Sequence, residues 1–194
     1  SFISTDNEAG GKAIGEYIAS KLEAGTEVAQ ITLNQARING VLRKDGFDAG
    51  IAENNLVDVD FKQMEKVNRS EGETYAQDLI TAHPNLGAIF CHSEDPAMGA
   101  ASALEAAGRT DVLIAAFDCS PEIVEGIRNG SIAGTSAQQP VLMGRNAAQA
   151  IVDHLAGKEV EKEITMDTML VTKDNIDDVY DTLVEVALDD GEAK

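Results

Sequence analysis

Short runs of apolar residues alternate with amphipathic segments along most of this chain of 194 residues. Continuous apolar runs predict buried strands, and apolar residues spaced three and four apart predict helices with one apolar face. Strands that alternate with helices are typical of a parallel sheet with right-handed connections and helices on both faces. The predicted fold class is therefore α/β, a doubly wound parallel sheet. Its strands are expected over 28–33, 57–61, 88–91, 112–117 and 132–137, and its helices over 38–52, 72–82, 96–107 and 121–129.

Two further regions flank this alternating part. A strand over 2–5 and a helix over 10–25 precede it. A helix over 140–155, a single strand over 163–171 and a helix over 176–188 follow it, before an acidic tail. The chain is long enough for one good core, or for one core and part of another.

The charge balance restricts the class of partner. The net charge is −19, from 15 basic and 34 acidic residues. Few cations are available to replace the counterions of a phosphate backbone, so we expect no nucleic-acid partner. The sequence also contains no phosphate loop, no dinucleotide fingerprint and no His or Cys spacing typical of a metal site. We therefore expect no cofactor.

Polar side chains follow two of the predicted buried strands. Asp118 follows the run over 112–117, and Gln138 follows the run over 132–137. The carboxyl ends of parallel strands meet at one edge of a sheet, where small ligands bind in open α/β folds. A carboxylate and an amide, with Arg43 near the start of a helix, supply the donors and acceptors that sugar hydroxyls require.

These residues stand in motifs that resemble the type I periplasmic binding proteins for sugars. Phe117-Asp118 precedes Pro121 by the family's spacing, and Ala137-Gln138-x-Pro140-x-x-x-Gly144 follows it. Arg43-x-x-Gly46-Phe47 resembles a third motif of the family. The resemblance covers 1–175 and implies that Arg43, Asp118 and Gln138 contact the ligand. It further implies a monosaccharide or polyol as ligand, a hinged two-lobe cleft, no catalysis, and a membrane permease of an ABC-type importer as partner.

Two positions depart from the family pattern. Ser93 and Glu94 stand where the family usually has Asn-Asp, so Ser93 is the expected fourth ligand residue, with a shorter reach and one donor. The second departure is at Val67 and Asn68, neither of which is aromatic. Near this position, family members often carry an aromatic residue that stacks on the sugar. These departures bear on which ligand binds more than on whether a site exists.

The resemblance also divides the chain. It implies the end of an N-terminal lobe and the first hinge at 1–7, a C-terminal lobe at 8–138, an N-terminal-lobe helix and strand at 139–171, and a C-terminal helix and acidic tail at 172–194. A full first lobe needs about 100 further upstream residues. We therefore expect weak or undetectable ligand binding by this chain alone, self-association through the apolar face of 140–155, and a periplasmic or extracellular location.

Other interpretations stay open at this stage. The same fold serves the effector-binding core of LacI-type transcription regulators, and an enzyme on a flavodoxin-like sheet is a third, weaker hypothesis. His92 next to Ser93 is a poor catalytic group, because adjacent strand residues point to opposite faces.

Each candidate residue also has a structural alternative. Asp118 is suited to cap the next helix, Arg43 to pair on the surface with Asp45 or Asp48, and Gln138 to form a turn. Asp6 is expected to serve as a hinge residue rather than to line the cleft. Cys91 and Cys119 end neighbouring strands, so a disulfide between them is one hypothesis and two buried thiols the other.

Overall fold

The computed structural model describes residues 1–180, which contain eight strands, six helices and a further helical stretch over 176–180. Most predicted elements are present, with ends that agree or shift by up to three residues, except that the helix expected over 10–25 ends at Ala19. In chain order they are β1 (Phe2–Thr5), α1 (Asn7–Ala19), β2 (Glu27–Thr32), α2 (Ile38–Ala52), β3 (Val57–Gln63), α3 (Arg69–Ala82), β4 (Leu86–Cys91), α4 (Glu94–Ala107), β5 (Leu113–Phe117), α5 (Pro121–Asn129), β6 (Gly134–Ala137), α6 (Pro140–Leu155), β7 (Glu163–Met166) and β8 (Met169–Thr172).

Six of the strands form one sheet in the order β3-β2-β4-β5-β6-β8. All neighbours are parallel except β6 and β8, which are antiparallel. The doubly wound fold class is confirmed, with one antiparallel strand added at an edge. The prediction that β4 and β5 are neighbours is also confirmed, and β5 and β6 end side by side.

Alternate residues of the central strands pack into two separate cores. Ile89 and Ile114 lie in a core beneath α3, α4 and α5. Phe90 and Phe117 lie in a second core beneath α1 and α2, where Phe90 stacks on Phe47 with ring centroids 4.6 Å apart. Successive side chains of a strand point to opposite faces of the sheet. Since both sets are buried here, helices cover both faces of the sheet.

Glycines let α1 and α2 pack backbone to backbone. A Cβ atom at Gly46 would lie 2.1 Å from the carbonyl oxygen of Glu8, and one at Gly11 would lie 2.4 Å from the carbonyl oxygen of Arg43. No side chain other than hydrogen fits at such distances. This contact holds Arg43 of α2 against the beginning of α1.

The strand expected over 163–171 is two strands, which is a correction to the sequence prediction. β7 pairs in parallel with β1 in a separate two-stranded sheet, whereas β8 pairs with β6 in the large sheet. Asp167 and Thr168 lie between them, and the Ser136 hydroxyl donates to the Thr168 hydroxyl at 2.9 Å. The alternation of polar and apolar residues stops at this break, because Asp167 and Thr168 are both polar and the three residues over 169–171 are all apolar.

We call β1, β7 and α6 the small layer. No residue of α6 is buried, and Ile151, Val152 and Leu155 are 62%, 59% and 80% exposed. Three connections cross between this layer and the large sheet: β1 to α1, β6 to α6, and β7 to β8. The division of a longer protein into lobes at these crossings stays a prediction.

The last predicted helix and the membrane-spanning character of the helices complete the description of the fold. Residues 176–180 are helical, but the rest of the helix expected over 176–188 and the acidic tail lie outside the described residues. Within 1–180, no helix has both the length and the apolar character needed to cross a membrane.

Candidate functional site

The four candidate ligand residues meet at the carboxyl edge of the large sheet, with Asp118 in contact with each of the other three. The Ser93 hydroxyl donates to Asp118 Oδ2 at 3.4 Å, and Arg43 Nη1 lies 3.8 Å from the same oxygen. Gln138 Nε2 donates to Asp118 Oδ1. These residues come from α2, from the ends of β4 and β5, and from the end of β6. Parallel strand order alone brings the last three to one place.

The backbone of Asp118 has the left-handed conformation, with φ of 74°. Two hydrogen bonds to β6 hold it there: its N–H donates to the Ser136 carbonyl at 3.0 Å, and the Thr135 hydroxyl donates to its carbonyl at 2.5 Å. Ser120, and not Asp118, caps α5, by accepting from the Ile123 N–H at 3.3 Å. The Asp118 carboxylate therefore stays at the sheet edge.

Arg43 is buried, with 4% of its surface exposed, so the alternative of a surface pair with Asp45 or Asp48 is wrong. Its Nε donates to Asn7 Oδ1 at 2.9 Å and its Nη1 donates to the His92 carbonyl at 2.5 Å. The guanidinium carbon lies 3.7 Å from the centre of the Phe117 ring. Burial lowers the pKa of Arg43, and the Asp118 carboxylate opposes that shift. Among described residues, Nη2 has no hydrogen-bond partner.

Gln138 links Asp118 to the small layer. While its Nε2 donates to Asp118, its Oε1 accepts from the Thr5 hydroxyl at 2.6 Å. Thr5 Oγ1 also lies 3.6 Å from Met143 Sδ of α6. Gln138 therefore has a long-range partner on each side of its amide, which an ordinary turn residue does not require.

Ser93 precedes α4 but does not cap it with its side chain. Its hydroxyl is instead directed to Asp118. The next residue, Glu94, is half-buried, and burial raises its pKa. A hydrogen bond from the Ser120 hydroxyl to this carboxylate opposes the upward shift of its pKa, whereas repulsion by Asp118 adds to that shift. Ser93 and Glu94, the first of the two departures from the family pattern, thus both lie beside Asp118.

The His92 side chain is turned away from the four residues. It is fully buried, and its Nε2 lies 3.1 Å from Gln30 Oε1. Gln30 Nε2 donates to Asp48 and Asp58, so the Gln30 oxygen must face the ring and accept from it. Burial lowers the pKa of His92 well below its ordinary value, with Arg43 acting in the same direction. In residues 1–180, no hydrogen bond joins its ring to Ser93 or Asp118.

Cys91 and Cys119 are free thiols. Burial raises the pKa of both, and that of Cys119 reaches about 11 with the added repulsion of Glu94 and Asp118. Both therefore remain protonated near neutral pH, where a thiol is a weak nucleophile.

Val67 and Asn68 serve the fold in this structure. Val67 has φ of 51°, which is unusual for a β-branched residue, and packs against the core beneath α3 and α4. Asn68 caps α3 by accepting from the Glu71 N–H at 2.9 Å. The Glu71 carboxylate in turn accepts from three backbone N–H groups of the preceding loop.

Sequence reasoning missed two residues of the site, Thr5 and Asn7. Asn7 is the buried partner of Arg43, and its own Nδ2 donates to the Thr5 carbonyl at 2.9 Å. The neighbouring Asp6 caps α1 by accepting from the Ala9 N–H at 2.9 Å, and the hinge role expected for it stays a prediction. The sequence feature that could have indicated Thr5 and Asn7 is the polar run over 5–7, where β1 ends and α1 begins.

Over residues 1–180, no group of three or more His, Cys, Asp or Glu side chains is placed to hold a metal ion. A cavity of about 590 Å³ lies at the opposite end of the sheet, with Met98, Val112 and Ser131 in its lining. Arg109, also in that lining, is already paired with Asp111 at 2.9 Å.

The chain belongs to the family described as periplasmic binding protein domain, whose model matches residues 1–159. This confirms the resemblance inferred from the motifs.

Individual relatives are similar along most of this chain. It is 32% identical over 173 residues to the ribose import binding protein of Salmonella typhimurium, which covers 89% of this chain and 58% of the relative. It is 33% identical over 171 residues to the ribose import binding protein of Bacillus subtilis, covering 88% and 55%. The chain thus spans less than two thirds of the length of these relatives.

A solved structure with the same fold contains a sugar. The periplasmic solute binding protein from Actinobacillus succinogenes with bound D-allose superposes with a TM-score of 0.87 and 23% identity, covering 92% of this chain and 63% of that one. At this identity the superposition establishes the fold.

Proposed function

We propose that this chain is the larger part of a solute-binding protein that holds a monosaccharide or related polyol without catalysis. The observation that carries the proposal is the convergence of Arg43, Ser93 and Gln138 on the half-buried carboxylate of Asp118. Charged acceptors and donors make short, directional hydrogen bonds to hydroxyl groups. Arg43 Nη2 and the remaining lone pairs of Asp118 are the groups that can form further hydrogen bonds with a ligand.

The proposal extends to the partner and the location. Delivery of the sugar to the membrane permease of an ABC-type importer, from the periplasm or the cell exterior, is the role we assign. The names of the two ribose import binding proteins support this role over the effector-binding core of a LacI-type regulator. A hinged change between open and closed forms, biased by the sugar, is the physical means of signalling occupancy.

We further propose that this 194-residue chain binds sugar weakly and self-associates. One wall of a cleft supplies about half of the hydrogen bonds and enclosed area of a complete site. The exposed apolar side chains Ile151, Val152 and Leu155 of α6 offer a surface for association. Sedimentation that finds a monodisperse monomer at all concentrations would contradict the second part.

The test is calorimetric titration of pentoses, hexoses and polyols against a fusion in which the upstream part of the Bacillus subtilis relative precedes Ser1. Saturable binding of one sugar is expected. Asp118→Ala should weaken it at least about 100-fold, because a half-buried charged hydrogen-bond partner is lost. Asp45→Ala, an exposed carboxylate on the same helix as Arg43, is the matched control and should bind normally. Failure of every sugar to bind, or equal binding by Asp118→Ala, contradicts the proposal.

A further inference from the structure

Thr5 and Asn7 complete a closed circuit of polar contacts around the candidate site. Arg43 Nε donates to Asn7 Oδ1 at 2.9 Å, and Asn7 Nδ2 donates to the Thr5 carbonyl at 2.9 Å. The Thr5 hydroxyl donates to Gln138 Oε1 at 2.6 Å, and Gln138 Nε2 donates to Asp118. Asp118 Oδ2 lies 3.8 Å from Arg43 Nη1, which closes the circuit.

The chemistry of each partner fixes the orientation of both amides. A guanidinium has only donors and a backbone carbonyl only accepts, so Asn7 must turn its oxygen to Arg43 and its nitrogen to Thr5. Gln138 must likewise turn its nitrogen to the Asp118 carboxylate, and its oxygen then faces a hydroxyl able to donate. Thr5 and Asn7 are only 7% and 9% exposed, so water competes little for these bonds.

We propose that Thr5 and Asn7 are positioning residues of the site, which set the Gln138 amide and the Arg43 guanidinium in place before a ligand arrives. The inference rests on the function proposed above for that site. Both residues lie where the chain passes from the small layer to the large sheet, so a change at this crossing alters the two ligand-facing groups directly. Preformed groups of this kind save the entropy of ordering them on binding.

The first experiment needs no ligand. In the isotopically labelled chain, solvent exchange of the Gln138 side-chain amide is measured by NMR for the wild type, Thr5→Val and Thr5→Ser. Valine has nearly the same shape as threonine but no donor, whereas serine keeps the hydroxyl. We expect exchange to rise about tenfold in Thr5→Val and to stay within about twofold of wild type in Thr5→Ser, since one buried hydrogen bond is lost only in the first.

A second variant tests the other half of the circuit. Asn7→Ala removes the acceptor of Arg43 Nε, so exchange of that N–H should rise about tenfold while the Gln138 amide changes less. The proposal is overturned if the Gln138 amide of the wild type exchanges as fast as a free side-chain amide. It is also overturned if Gln138 exchanges equally fast in the wild type and in a folded Thr5→Val. If Thr5→Val does not fold, the wild-type contact between the Thr5 methyl and the Gln138 amide protons decides, and its absence overturns the proposal.

The binding arm uses D-ribose and D-allose as probes on the fusion described above. For whichever sugar binds the wild type, Thr5→Val should weaken affinity about tenfold and Thr5→Ser no more than about twofold. Equal affinity in all three proteins overturns the positioning role. If neither sugar binds, the proposed function fails, and the exchange measurements still report separately whether the circuit orders Gln138 and Arg43.

Discussion

The large sheet and the small layer have similar sequence patterns but differ in how their apolar residues are covered. The central strands β4 and β5 are nearly all buried, between helices on both faces. Helix α6 is as clearly amphipathic in sequence as the helices that cover the large sheet, yet none of its residues is buried. Periodicity thus predicts that a helix has an apolar face, and a neighbouring element decides whether that face is covered. Stability should therefore reside in the large sheet.

The largest expected contrast is between two isoleucines. Ile89→Ala in β4 empties a fully buried site and should lower the free energy of unfolding by about 2–5 kcal/mol. Ile151→Ala makes the same change at a position that is 62% exposed and should cost no more than about 0.5 kcal/mol. Urea denaturation measures both. Similar losses in the two variants would mean that α6 is covered in solution.

Two glycine variants sharpen the same comparison. Gly46→Ala forces a methyl group onto the Glu8 carbonyl, 2.1 Å away, and should cost about 1–3 kcal/mol or more. Gly144→Ala in α6 meets no atom within 4 Å and should stabilise by up to about 1 kcal/mol, because alanine is the better helix former. Thermal unfolding of the two proteins should move in opposite directions. A stable Gly46→Ala would contradict the close packing of α1 on α2.

The strain at Asp118 is open to a direct test. Asp118→Ala and Asp118→Gly both remove the carboxylate, but only alanine has a Cβ atom that makes a backbone φ of 74° energetically unfavourable. The glycine variant should therefore be more stable than the alanine variant by about 1 kcal/mol, as measured by urea denaturation. The reverse order would mean that this residue leaves the left-handed conformation once its side chain is removed.

The smallest expected effect concerns pH. The pKa of Glu94 is raised above its ordinary value of 4.5 in the folded protein, so the folded state holds the proton more tightly than the unfolded chain. This favours folding at low pH, and the benefit is lost as pH rises through the raised pKa. Glu94→Gln cannot ionise and should unfold at a higher temperature than wild type at pH 7, with the gap narrowing toward pH 4.5.

The matched control for that measurement is Asp45→Asn, which removes an exposed carboxylate from a different helix. It reports the general effect of one negative charge fewer in a chain of net charge −19. The Glu94 variant should change the pH dependence more than this control does. Equal curves for both variants would mean that Glu94 is not desolvated.

Local pattern was sufficient for much of the fold and for the meeting of Asp118 and Gln138, because parallel strands bring their carboxyl ends to one edge. The candidate Ser93 came from the family resemblance. Local pattern was insufficient at β7 and β8, which were predicted as one strand although they pair with different strands and the alternation stops between them, at Asp167 and Thr168. The burial of Arg43 and the contacts of Thr5 and Asn7 depend on the close approach of α1 to α2. The paired glycines Gly11-x-x-x-Gly15 and Gly46-x-x-x-Gly50 were the available sign of that approach.

The most direct test of the central claim is an NMR titration of D-ribose and D-allose against this chain, which detects binding with a Kd of about 1–10 mM. We expect saturable shifts in the signals of Arg43, Ser93, Asp118 and Gln138, and their loss in Asp118→Ala. Signals near the distant cavity at Met98 and Ser131 should stay unchanged. Shifts confined to that cavity, or none at the edge of the sheet for either sugar, would contradict the assignment of these four residues as a sugar site.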